Sequence, residues 1–130
     1  GTVAPAPGVT VHRHLSDQAM AALMLEADLA VSAAGTTTFE LARCGVPTVL
    51  LGVADNQQPN LDHWPDLCGF IDAGRWDAAD RDKRIDEGID RLRDPRVRRT
   101  ITDRAGTVVD GQGVRRLFDR LQTQGNRGQS

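Results

Sequence analysis

The chain has no tyrosine, and its only aromatic residues are three phenylalanines and two tryptophans among 130 residues. That is too few for a surface on which successive bases stack. It has two cysteines, Cys44 and Cys68, which stand apart without the paired spacing of metal ligands. Reduced thiols in the cytoplasm are therefore expected. No apolar run approaches the roughly 18–20 residues of a membrane span, and no stretch has the make-up of a signal peptide. Excess positive charge is also absent. The 16 Lys and Arg against 18 Asp and Glu leave a net charge of −2, so nothing draws the chain to nucleic acid or to an anionic membrane.

Several catalytic signatures are missing too. There is no G-x-x-x-x-G-K-[ST] phosphate loop and no G-x-S-x-G nucleophile elbow. Gly111-Gln112-Gly113 lacks both a preceding buried strand and a third glycine, so it reads as a turn and a helix start. His12 and His14 alternate on one segment but find no third ligand, so no metal is expected. Arg96, Arg98 and Arg99 read as a solvated helix face.

What is present is an ordinary globular composition, 39% hydrophobic and 26% charged. The length suits one domain that buries roughly two thirds of its unfolded surface. Residues 1–8 read as a leader without structure of its own, and residues 122–130 as a disordered tail. Between them strands and helices alternate. Val9-Thr10-Val11-His12 reads as a strand ending near Leu15. Ser16 or Asp17 can cap a helix with Met20, Leu23, Met24 and Ala27 on one face. A second strand covers Leu29-Ala30-Val31, and Gly45 stops the helix that follows it. Pro47–Leu51 is a third buried strand, emptying into a polar loop over Asp55–Asn60. A helix near Leu61–Leu67 is expected to be shortened or bent by Pro65. Gly69–Asp72 is a short fourth strand. Further helices carry Ile85, Ile89 and Leu92 (weakened by Gly88), then Val97, Ile101 and Ala105 behind an Asp94-Pro95 start, then Val114, Leu117, Phe118 and Leu121. This alternation predicts an α/β fold, a parallel Rossmann-like sheet of about four strands with helices on both faces.

The stretch Ala27–Glu40 organises the rest. It reads as a strand expected to be buried on both faces, a tight turn and the first turn of a helix. Ala33, Ala34 and Gly35 are small enough for a ligand to approach the backbone. Thr36, Thr37 and Thr38 offer hydroxyls and free N–H groups at a helix start, a seat for phosphate. Glu40 shares the face of Thr36 and Thr37, with a carboxylate suited to sugar hydroxyls beside that phosphate. Thr37-x-x-Glu40 is equally a capping box, which needs no ligand. Ligands of parallel sheets bind beyond the carboxyl ends of the strands, where this turn and the Asp55–Asn60 loop are expected to converge.

Taken together, Ala27-Asp28-Leu29-Ala30-Val31-x-Ala33-x-Gly35-x-Thr37-Thr38-x-Glu40, Leu41-Ala42-x-Cys44-Gly45-Val46-Pro47-Thr48, Ala54-Asp55-Asn56-Gln57 and Val109-Asp110-Gly111-x-Gly113-x-x-Arg116 resemble the nucleotide-binding, C-terminal half of GT-B enzymes. The nearest likeness is to the UDP-sugar hydrolase of the pseudaminic acid pathway and its spore-coat polysaccharide relatives. The lipid-II-forming N-acetylglucosaminyltransferase is a more distant cousin. The resemblance covers residues 9–121 and implies a partial Rossmann-like UDP-sugar-binding domain. It implies that Gly35, Thr36 and Thr37 hold the diphosphate and that Glu40 binds the ribose. Asp55, Asn56 and Gln57 face the sugar and phosphates, and the uracil lies against main chain near Leu15. No cofactor is implied. The family's catalytic histidine belongs to an N-terminal half that has no counterpart here, so a missing half or partner subunit is expected to supply the base. Three classes follow: half of a nucleotide-sugar hydrolase in surface polysaccharide or nonulosonic acid biosynthesis, the donor half of a glycosyltransferase, or a non-catalytic interaction module in which Glu40 only caps.

Overall fold

A computed structural model of the chain describes residues 6–108. The expected Val114–Leu121 helix, the Val109–Arg116 motif, the tail and the first five residues of the leader lie outside them.

Ser16 opens the first helix, α1 (Asp17–Glu26), its hydroxyl accepting the Ala19 N–H at 3.1 Å. Strand β1 (Ala30–Ala33) leads into α2 (Thr37–Arg43), then β2 (Thr48–Gly52). Gly45, with φ 69°, ends α2 in the left-handed conformation that costs glycine least. A 3₁₀ turn over Asp55–Gln57 runs straight into α3 (Gln58–Cys68), followed by β3 (Ile71–Arg75), α4 (Arg81–Leu92) and α5 (Pro95–Val108). The Asp94 carboxylate caps α5 by accepting the Arg96 N–H at 2.9 Å.

Among the described residues the sheet has three parallel strands in the order β1-β2-β3. This corrects the expected four. Val9–His12 forms no strand: Val9 and Val11 are 53% and 58% exposed, and among the described residues the only backbone bond near them is a turn from the Val9 N–H to the Ala6 carbonyl. Alternation creates a face for burial, but a strand also needs a neighbour, and among the described residues β1 pairs only with β2. The last strand is shifted as well. Gly69, with φ 87°, caps α3, and the ladder starts at Ile71 and runs to Arg75. Nor is β1 buried on both faces: Ala30 and Ser32 are half-buried, whereas Ala33 is exposed and Val31 is 44% exposed.

The polar loop expected over Asp55–Asn60 is largely helical, because Pro59 takes a place in the first turn of α3, where its missing N–H costs nothing. Pro65 neither shortens nor ends that helix. It forgoes one helical bond while Trp64 and Cys68 on either side are fully buried, and its own carbonyl accepts the Gly69 N–H at 2.9 Å.

All five residues of β2 are buried. Gly88 of α4 lies so close that a Cβ there would stand 3.0 Å from Val49 and 3.3 Å from Ile71. The glycine expected to weaken α4 is what lets the helix approach the sheet. A Cβ on Gly52 would instead strike Leu61 of α3, so alternation along β2 puts α3 and α4 on opposite faces. Trp64 forms the centre of the α3 side, with Phe39 edge-on at 5.3 Å and Phe70 stacked at 5.6 Å. Two buried polar atoms there, Thr38 Oγ1 and Trp64 Nε1, have no hydrogen-bond partner among the described residues.

Candidate functional site

Because the three strands are parallel, the segments after Ala33, Gly52 and Arg75 emerge at one rim. Main-chain bonds prolong the sheet into that rim. The Ala34 N–H donates to the Leu51 carbonyl at 2.8 Å, and the Trp76 N–H to the Gly52 carbonyl at 2.9 Å. Asn60 Nδ2 donates a short hydrogen bond to the Ala34 carbonyl, fixing the turn from the first turn of α3. Gln57 is held in turn, its Oε1 accepting the Val53 N–H at 2.9 Å. Its Nε2 then lies 3.4 Å from where a Cβ on Gly35 would sit. Gly35 and Gln57, two of the residues singled out in the sequence, therefore meet.

Thr36 and Thr37 lie exposed at the start of α2. The Thr38 and Phe39 N–H groups are taken by the Gly35 and Thr36 carbonyls, whereas those of Gly35, Thr36 and Thr37 donate to nothing among the described residues. The capping box does not form: Thr36 is the N-cap, and no side chain caps the helix. Glu40 is instead 51% exposed, with Oε1 3.7 Å from Arg43 Nη1. With Arg43 it lines one wall of a cleft of about 380 Å³, whose other wall is Asp17, Gln18, Met20, Ala21 and Met24 of α1. Leu15, half-buried, lies just before that helix. Cys44 lies next to this pair. Partial burial raises its thiol pKa first, the Glu40 charge adds to the rise, and Arg43 opposes it.

Asp55 and Asn56 are exposed. Asp55 turns toward the third strand, its carboxylate 2.7 Å from Arg75 Nη2. Sequence reasoning missed this arginine, along with Asn60 and Trp76. Trp76 stands 52% exposed beside the rim with the Arg81 guanidinium 4.1 Å above its ring. A hint of Asn60 was available in the polar run that contains it. Arg75 and Trp76 had none, since the strand was expected to end at Asp72.

Among the described residues no group of three or more His, Cys, Asp or Glu could hold a metal ion, and no helix is long and apolar enough to cross a membrane. No family model, curated protein or solved structure matches this chain.

Proposed function

We propose that the chain is the UDP-sugar-binding half of a nucleotide-sugar hydrolase acting in surface polysaccharide or nonulosonic acid biosynthesis. The observation that carries this reading is the meeting of Gly35 and Gln57 at the strand ends, beside three N–H groups without acceptors. Free amides at a glycine turn suit the oxygens of a diphosphate. The uncapped Glu40 faces the α1–α2 cleft, where a ribose hydroxyl can donate to its carboxylate and a uracil can lie toward Leu15. In this reading Asn56 and Gln57 contact the sugar or the phosphates, and Asp55 is paired with Arg75. The chain then binds and orients the leaving UDP, and a partner half supplies the base that activates water.

Hydrogen bonds to a charged group contribute about 1.5–3 kcal/mol, so Glu40→Ala should weaken UDP binding roughly 10- to 100-fold. Calorimetry on the assembled protein reads this directly. Equal affinity in the variant would remove Glu40 from the site and the ribose reading with it.

A further inference from the structure

The segment from Arg91 to Arg104 contains six arginines, and the structure divides them by task. Arg93 pairs with Asp90 at 3.5 Å. Arg98, part-buried rather than solvated, donates to the Leu92 and Arg93 carbonyls at 2.8 and 3.0 Å and closes the end of α4. Arg99 is exposed. Arg91, Arg96 and Arg104 do something else. With Gly69, Val97, Thr100 and Ile101 they line a cleft of about 260 Å³ between the end of α4, α5 and the turn before β3.

No carboxylate lines this cleft, and none of its three guanidiniums forms an ion pair among the described residues. Arg104 is steadied by donating to the Asp66 carbonyl at 2.6 Å. Arginine carries five donors in a planar fork and no acceptor, so three forks that line one cleft without an ion-pair partner among the described residues leave most of their donors open. Thr100 donates its hydroxyl to the Arg96 carbonyl at 3.0 Å, and Val97 and Ile101 form an apolar floor.

We infer that this cleft is an anion site for a small ligand bearing a diphosphate group, separate from the strand-end rim. Gly69 precedes the first residue of β3, so the cleft lies at the opposite edge of the sheet from Gly35 and Gln57. Its volume falls below the roughly 300–1,000 Å³ of pockets for drug-sized molecules, which favours a compact anion. A long polyanion fits poorly, because Asp90 of α4, Asp94 between the helices and Asp103 of α5 alternate with the arginines along the chain and interrupt any basic track.

The test is calorimetric titration of pyrophosphate at fixed ionic strength, with Arg96→Glu and Arg91→Glu against Arg99→Glu. The last makes the same change in net charge on α5 outside the cleft. A carboxylate at position 96 sits in the first turn of α5, where it favours the helix, so lost binding would not reflect a melted helix. Saturable binding of about 1 mM or tighter is expected, weakened roughly tenfold or more by either cleft variant and unchanged by Arg99→Glu. Absence of saturable binding would overturn the inference. So would equal losses in all three variants, the mark of diffuse charge, or retention in both cleft variants, the mark of binding elsewhere. The rim is also proposed to take a diphosphate, so retention in both cleft variants would assign the pyrophosphate to another seat, while UDP at the rim is read separately through Glu40→Ala.

Discussion

The two ends of the sheet differ in how much covers them. Around β2 and β3, helices α3 and α4 close both faces, every residue of β2 is buried, and the Phe39–Trp64–Phe70 cluster fills one side. Around β1 the cover is thin. Helix α1 contributes one buried residue, Met24, while Met20, Leu25 and Val31 stay 42%, 70% and 44% exposed. The same hydrophobic patterning runs through both regions. What separates them is whether a second element arrives to receive the apolar face, and the proposed nucleotide rim lies where the well-covered strand meets the open one.

Three stability measurements can break or sharpen that contrast. Trp64→Ala removes the centre of the closed side and should cost about 3–5 kcal/mol by denaturant unfolding. A loss below about 1 kcal/mol would mean that this cluster is not the core. On the open side, Met24→Ala should cost about 2 kcal/mol and Met20→Ala less than about 0.5 kcal/mol. Equal losses would show that α1 is packed on a face the structure leaves open. The last effect has the opposite sign. Thr38 Oγ1 is buried without a partner among the described residues, so Thr38→Val keeps the shape, removes an unsatisfied hydroxyl and should raise stability by about 1 kcal/mol. A loss instead would reveal a hydrogen bond to that hydroxyl.

The elements legible in the sequence were those whose signals are local. Ser16 and Asp94 announced their helices by capping, Gly45 ended α2, and the spacing of Val97, Ile101 and Ala105 marked one face of α5, on which Ile101 and Ala105 are buried and Val97 half-buried. Pro47–Leu51 was a short continuous apolar run, and it is the central strand. The illegible parts depended on neighbours. Val9–His12 has the right alternation and no partner. Pro65 and Gly88 looked like defects, yet the buried flanks of one and the close sheet beneath the other explain both. At the rim, the small residues of the turn were readable. The meeting of Gln57 with Gly35, the Asn60 bond to Ala34 and the Arg75–Asp55 pair were not, because each joins residues distant in sequence.

The measurement that bears most directly on the account is a map of backbone amide shifts on titration with UDP. The account predicts that in the Arg96→Glu variant, which weakens the second cleft, the largest changes fall on Gly35, Thr36 and Thr37, with Gln57 following and α4 and α5 unmoved. Shifts confined to α4 and α5, or no saturable shift at the strand-end rim, would contradict it.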